Sequence, residues 1–417
     1  METELERRAG ERLLTGDAWN DLCEVLKQAG QVIDQFGDGV NELDRTEWYR
    51  FLSRLVRHGF HRFVENSEPE RPRLLDTPWR QGINFQSPDQ DHLIAEFFDG
   101  AHDYRIVGNR GTIPYFVMAA WEGAFPADHG ARNWADEGID GLKMFDPAVM
   151  RATSFIASDQ IRFDEAGNFE VIVSREKPPG DGAWLPITGS SVGVLVRTLY
   201  HLREETIAPS LRIERLDGGM PRPLRPAELS AGLARAGQIT LGYAELVRRW
   251  WQDNFDGQPN RIIFDLALYL ANGGVADRHH GFGTWECGED EALVIEFKPT
   301  ACDYWILQLC NIWQENLDNY EDGGGYLQKY RALYEADGSV RVIVAHRDPG
   351  TGGNWIDPFG HVHGGWSLRL IRTSGSPPEV SVRRVALADL QMEGLSALNG
   401  VEPLISGALA GRGKPHA

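Results

Sequence analysis

Residues 342–369 read V-I-V-A-H-R-D-P-G-T-G-G-N-W-I-D-P-F-G-H-V-H-G-G-W-S-L-R, a hydrophobic strand that breaks into a Gly-rich loop and resumes at Trp366 to Arg369. No other stretch sets so many titratable or hydrogen-bonding side chains side by side. Partly buried and paired imidazoles and carboxylates titrate near neutrality, so His346, Asp348, Asp357 and His361 are the candidate acid/base groups. Arg347 or Arg369 can grip a carboxylate, phosphate or oxyanion with two parallel hydrogen bonds. Asn354, Trp355, His363 and Trp366 complete the candidate binding set, with Trp285 and Trp313 as further pocket walls. The same residues also have a plain structural reading: Asp348-Pro-Gly as a turn whose Asp caps its own backbone, and Arg347 paired with a neighbouring acid.

A metal centre has weaker support. On an extended segment His361 and His363 would point to one side, and His279, His280 and Glu286 are available to complete a set. Adjacent histidines, however, point to opposite sides of a strand, and no third ligand falls at a diagnostic spacing. No metal is therefore assigned, and the four histidines are left open. The glycines of Gly108-Asn-Arg-Gly111 and Gly323-Gly-Gly325 do not lead into a helix and read as hairpin and loop residues. No Gly-x-Ser-x-Gly elbow, Cys/His nucleophile context, nucleotide motif or flavin motif is present, so no organic cofactor is expected.

The elements that must position this loop are mostly β-strands. Residues 12–36 and a segment opening at Asp44-Arg-Thr-Glu47 carry helical periodicity and predict two N-terminal helices, the second with a capping-box-like start. Residues 65–80 form a polar, Pro-rich connector. Short β-type runs follow at 93–98, 104–107, 113–121, 160–163, 169–174 and 192–200. Between them, residues 126–150 read as loop with Trp134, Met144 and Phe145 as apolar anchors. A long helix is predicted over 226–254, weakened by Gly232, Gly237 and Gly242. A helix or strand at 262–271 ends at Asn272-Gly-Gly274, and strands return at 293–297, 304–310, 326–334, 340–344 and 366–371.

The chain also resembles itself. Residues 93–106 align without gaps on residues 293–306, with seven of fourteen identities. Residues 169–178 match 340–349; Trp184 then falls on Trp355, Gly189 on Gly360 and, with one inserted residue, Arg197 on Arg369. Matching positions are explained by a shared fold. Differing ones show specialisation: Arg175 becomes His346, Lys177 becomes Asp348, Ala183 becomes Asn354, Pro186 becomes Asp357, Ser190 becomes His361 and Val192 becomes His363. The candidate site is thereby placed in the second copy.

At 417 residues the chain exceeds one ordinary core, and its apolar (42%) and charged (25%) fractions are those of a globular protein. A formal net charge of −19 repels phosphate backbones and anionic lipid surfaces, which argues against nucleic-acid and membrane partners. The charged N-terminus shows no apolar signal region, and no apolar run approaches the ~20 residues of a membrane span. The scattered cysteines Cys23, Cys287, Cys302 and Cys310 predict reduced thiols and a cytoplasmic setting.

On L-V-I-E-F at 293–297, D-G-S-V-R-V-I-V-A-H-R-D-P-G at 337–350, N-W-I-D-P-F-G-H at 354–361 and the Arg369 strand, the chain resembles the bacterial family known as domain of unknown function 1214. Around Asp103 to Gly111 the first half is also similar to the N-terminal part of longer family members, and the related family 1254 is sometimes found beside this one. The resemblance spans most of residues 85–373. It implies β-sandwich or jelly-roll-like units with added helices, and carries no established activity.

The expected fold is therefore α+β and β-dominated, with two related antiparallel β-sandwich, jelly-roll-like halves. The expected blocks are an N-terminal helical region (1–80), a first β-rich half (81–222), a helical insert (223–275), a second β-rich half (276–405) and a disordered tail (406–417). The expected activity is a cofactor-independent lyase or hydrolase step on a bulky, largely apolar or ring-containing small molecule in a Trp-lined pocket. The alternative is a non-catalytic small-molecule or carbohydrate-binding or assembly protein, with residues 346–363 sealing a homodimer contact. On the catalytic reading, His361→Ala or Asp357→Ala abolishes turnover with a nearly unchanged melting temperature.

Overall fold

The computed structural model describes residues 3–66, 68, 70–76, 85–96, 100–122, 151–220, 222–255, 259–266, 269, 275 and 277–407. The anchors Trp134, Met144 and Phe145, the Asn272-Gly-Gly274 turn and the tail from residue 408 lie outside these. The chain divides into two compact units: residues 1–79 with 89–246, and residues 80–88 with 247–417. Each carries two sheets, and the fold as a whole is α+β and β-dominated.

The first unit begins with three helices where the periodicity predicts two. α1 (Glu4–Leu14) opens on a capping box between Thr3 and Glu6, and α2 (Asp17–Gln31) follows across Gly16, whose φ of 86° breaks the helix. α3 (Glu42–Phe63) starts before the predicted Asp44, because Asn41 caps it and Asp44 closes the box from inside. A long helix, α4 (Pro226–Phe255), comes later in the chain. Gly232 of this helix has a packing reason, shared with Gly59 of α3. A Cβ on Gly232 would lie 2.2 Å from the Phe63 carbonyl oxygen, and one on Gly59 would lie 2.9 Å from the Ala236 Cα. The α3–α4 crossing is thus too close for side chains at these points.

The strands of this unit are β1 (Leu75–Asp76), β2 (His92–Glu96), β3 (Tyr104–Asn109), β4 (Tyr115–Glu122), β5 (Arg151–Ala157), β6 (Asn168–Ser174), β7 (Ala183–Pro186), β8 (Gly193–Leu199) and β9 (Ser210–Arg215). They form one sheet in the order β1-β2-β8-β4-β5 and another in the order β7-β6-β3-β9. β1 falls within the predicted connector. Met118, Val194 and Val196 of one sheet and Ile106, Val171 and Val173 of the other share a single core, a sandwich arrangement.

The second unit carries β10 (Ile263–Phe264), β11 (Arg278–Glu286), β12 (Glu291–Phe297), β13 (Cys302–Cys310) and β14 (Tyr326–Gln328). After these come β15 (Val340–Val344), β16 (Asn354–Ile356), β17 (His363–Thr373), β18 (Val380–Ala386), a short helix α5 (Leu387–Glu393) and β19 (Leu404–Ser406). One sheet runs β10-β11-β17-β13-β14 and the other β16-β15-β12-β18-β19. Trp305, Leu307, Leu309, Trp366, Leu368 and Leu370 of the first pack with Leu293, Ile295, Val342 and Val382 of the second. Every second residue of β13 and β17 faces this core, as strand geometry requires.

The two units repeat one topology. β2, β8 and β4 correspond to β11, β17 and β13, and β6, β7 and β3 to β15, β16 and β12. Even the parallel pairing of β6 with β7 recurs between β15 and β16. The match of 169–178 with 340–349 agrees with this equivalence. The ungapped match of 93–106 with 293–306 does not: it lays β2 on β12 and β3 on β13, strands with different partners. Buried strands draw on few residue types, so non-equivalent strands can look alike.

Helix interiors ordinarily gain about 1 kcal/mol when Gly becomes Ala. Gly232→Ala is expected to lower the melting temperature instead, whereas Gly30→Ala in α2, where a Cβ meets nothing within 4 Å, should raise it. Thermal denaturation of the two variants checks the opposite signs.

Candidate functional site

The loop between β15 and β16 leaves its backbone without sheet partners, and its own side chains supply them. Asn354 Nδ2 donates to the Leu333 and Arg341 carbonyls, both at 2.8 Å, while its Oδ1 accepts from the Leu333 N–H at 2.7 Å. Trp355 Nε1 donates to the Ala345 carbonyl at 2.8 Å, as Trp184 does to Ser174 at 3.2 Å in the first unit. Asp348 accepts from the Gly350 N–H and Asp357 from the Phe359 N–H, each at 2.8 Å, the turn-capping pattern. Arg347 pairs with Asp290 at 2.9 Å on the surface, where such pairs contribute little. His346 Nε2 lies 3.3 Å from the Cys287 carbonyl.

His361 and His363 do not share an extended segment. His361 sits in a turn before β17, 2% exposed, with Nδ1 3.1 Å from both the Pro358 and Phe359 carbonyls. Its removal opens a void in that turn, so an unchanged melting temperature is no longer expected of His361→Ala. His363 starts β17 and lies edge-on to Trp251 and Phe255, with ring centroids 5.5 and 6.0 Å away. His279 Nε2 is 2.8 Å from the Gly375 carbonyl, on the opposite side of β11 from His280. Among the described residues, no three His, Cys, Asp or Glu side chains gather as metal ligands would.

The predicted tryptophans do not converge. Trp285, Trp313 and Trp366 are wholly buried, and Trp285 and Trp366 belong to the sandwich core. Trp366 Nε1 donates to the Arg261 carbonyl at 2.9 Å and Trp285 Nε1 to the Gly365 carbonyl at 3.0 Å. Trp355 alone of the set is substantially exposed, at 40%.

Arg369 has a different environment from the loop. It lies on the face of β17 turned away from the core, opposite His280 of β11 and Ile306 of β13. Two residues earlier on that face, Ser367 is opposite Phe282 and Gln308. Arg369 is 8% exposed, and Ser367 and Gln308 are fully buried. Arg369 Nη2 donates to the Phe85 carbonyl at 2.8 Å and to His280 Nε2 at 3.0 Å. Because a guanidinium only donates, this His280 nitrogen is the acceptor. Burial, reinforced by Arg369 and Arg278, holds the imidazole well below its ordinary pKa, so it is neutral. Burial also pushes the Arg369 guanidinium down to about 10 and the Cys310 thiol up to about 12. Phe282 and Phe85, with centroids 5.3 Å apart, and the His280 ring, 3.7 Å from that of Phe282, form an aromatic wall beside the group.

Three polar atoms of this face lack a partner among the described residues: Arg369 Nη1, Ser367 Oγ and Gln308 Oε1. No described carboxylate pairs with Arg369. Unpaired buried polar atoms cost about 1–3 kcal/mol each, more when charged, and a buried charge is normally paired. The equivalent strands of the first unit sharpen the contrast. There His92 and Arg197 occupy the positions of His280 and Arg369, but Ala119 and Leu195 stand where the second unit has Gln308 and Ser367. The His–Arg pairing is common to both units, and the two added polar groups belong to the second alone. The sequence signal was a polar residue inside otherwise apolar strands, Gln308 in W-I-L-Q-L-C and the alternating Ser367 and Arg369 in W-S-L-R-L-I, a pattern the loop's denser chemistry overshadowed.

A crystal structure of an uncharacterized protein from Burkholderia cenocepacia is 30% identical to this chain, covering 91% of it and 100% of its own length, with a TM-score of 0.81. This chain belongs to that protein's family. The VPA0106 protein from Vibrio parahaemolyticus is similar at 10% identity over 86% of this chain and 97% of its own, with a TM-score of 0.43, too low to bear on the fold. No protein-family model matches the chain, and no curated protein matches it.

Asn354→Ala removes the partner of three backbone groups and is expected to cost more than about 2 kcal/mol. Arg347→Ala should change stability by less than about 1 kcal/mol. Denaturant unfolding of both variants separates the latch from the surface pair.

Proposed function

We propose that the protein binds a small anionic molecule on the polar face of β11, β17 and β13 in its second unit, with Arg369 as the anchor. The observation that carries this reading is a guanidinium, over nine-tenths buried, with one nitrogen unpaired and no described acid beside it. Such a group is costly to fold around, and a ligand carboxylate or phosphate offsets that cost through charge-assisted, bidentate hydrogen bonding. The flanking aromatic rings suit a ligand with an apolar or ring-containing body.

A catalytic version, the lyase or hydrolase step expected above, gains no base from His280. Its single lone pair, on Nε2, accepts from Arg369 and burial disfavours its protonation, so the imidazole positions the guanidinium. His346, Asp348, Asp357 and Asn354 are better read as loop-forming groups, since each has a local partner. The finer placement we propose is the bacterial domain of unknown function 1214. The four cysteines, all free, fit a reducing, cytoplasmic setting. Among the described residues no helix is long and apolar enough to cross a membrane.

Thermal unfolding in acetate, benzoate or inorganic phosphate, against chloride at equal ionic strength, tests the anion reading. At a hundredfold excess over Kd a bound anion adds about 2.7 kcal/mol, a rise of roughly 5–10 °C for a unit of this size. Arg369→Met should lose that rise while its own melting temperature changes little, because removing an uncompensated charge offsets leaving the Phe85 carbonyl and His280 Nε2 without their donor. A variant that unfolds several degrees lower, with a wild type indifferent to all three anions, would make Arg369 a structural residue.

A further inference from the structure

Resting on the anion reading above, we infer that the ligand is a hydroxycarboxylate with an aromatic or apolar body, its carboxylate on Arg369 and its hydroxyl on Gln308. The unpaired atoms are of different kinds, and that difference defines the ligand. Arg369 Nη1 can only donate, and an anion's oxygen answers it. Gln308 Oε1 can only accept, and a simple carboxylate has nothing to give it. Ser367 Oγ serves either neighbour.

The orientation of the Gln308 amide follows from its partners. Its Nε2 is 3.2 Å from the Gln86 carbonyl oxygen and 3.1 Å from Asn316 Oδ1. Asn316 Nδ2 in turn lies 3.1 Å from the same Gln86 carbonyl. A backbone carbonyl can only accept, so both amides must present nitrogen to it, and Gln308 Oε1 is left as the bare acceptor. A donor on the ligand is therefore required.

That donor is a hydroxyl and not an ammonium. Arg278 stands two residues before His280 on the same face of β11, its Nε 3.5 Å from Asp277, so the face already carries two guanidiniums. A third positive charge would meet like charge in a low-dielectric setting, whereas a neutral hydroxyl meets none. Geometry keeps the two ligand groups close. Gln308 is directly across from Ser367, and Ser367 is two residues from Arg369, a strand spacing of about 7 Å. The rings of Phe282, Phe85 and His280 then flank the rest of the molecule. In the first unit the same positions hold Ala119 and Leu195, and a hydroxyl there would find no acceptor on those side chains.

Calorimetric titration with 3-phenyllactate, 3-phenylpropionate and phenylalanine reads the inference. The hydroxy acid should bind wild-type protein at least about tenfold tighter than the deoxy acid, since a buried acceptor left unpaired is costly, and phenylalanine should bind weakest. Gln308→Met, nearly isosteric, should bring phenyllactate down to the affinity of phenylpropionate, and Ser367→Ala should leave the preference in place. Equal affinity of the two acids for wild type, or a preference surviving in Gln308→Met, overturns the hydroxyl assignment while leaving the anion site standing. Failure of all three compounds to bind, with Arg369→Met also unfolding early, overturns the anion reading itself and this inference with it.

Discussion

The second unit is organised around three strands that are buried on both faces. β11, β13 and β17 turn one face to an apolar sandwich core, where Trp285, Leu307 and Trp366 are fully buried. The other face is equally hidden and yet polar, carrying Arg278, His280, Gln308, Ser367 and Arg369. Hydrophobic burial can hold the first face, but only hydrogen bonding can hold the second. Most of its groups find partners through the Phe85–Gln86 backbone and Asn316. The remaining donor and acceptors mark where the fold's internal chemistry stops being self-sufficient.

The duplicated architecture gives that observation its meaning. Both units keep the same strand order and the same parallel edge pairing, and both place histidine across from arginine on equivalent strands. In the first unit Arg197 lies over the Trp121 ring, with its carbon 5.8 Å from the centroid. In the second, the position equivalent to Trp121 is Cys310, and the arginine turns to the Phe85 carbonyl and His280 instead. Comparing the copies separates scaffold from specialisation, as the sequence suggested. The specialised positions, however, include the sheet face as well as the loop, and the loop's polar side chains close its own turns.

That reversal has a simple cause. A loop crossing between parallel strands exposes many backbone N–H and C=O groups, and Asp, Asn and Trp side chains are well suited to satisfy them. In sequence such residues look like a reactive cluster because they are dense and titratable. Asn354, Asp348 and Asp357 each turn out to hold a specific backbone group. Only the partner atoms distinguish the two cases, and those are not written in the residue types.

Local periodicity determined a good deal by itself. It gave the strands at 104–107, 169–174 and 340–344, the long helix from Pro226, the β-dominated class and the true half of the internal repeat, because alternation and 3.6-residue spacing are properties of consecutive residues. It also misaligned β2 with β12, since apolar strands resemble one another whatever their partners. Tertiary structure decided which strands pair and in what register, and therefore that His280, Gln308, Ser367 and Arg369 share one buried face. His280 and Arg369 are 89 residues apart in the chain. Their meeting is fixed by cross-strand hydrogen bonding and by the burial of the opposite face, both of them non-local.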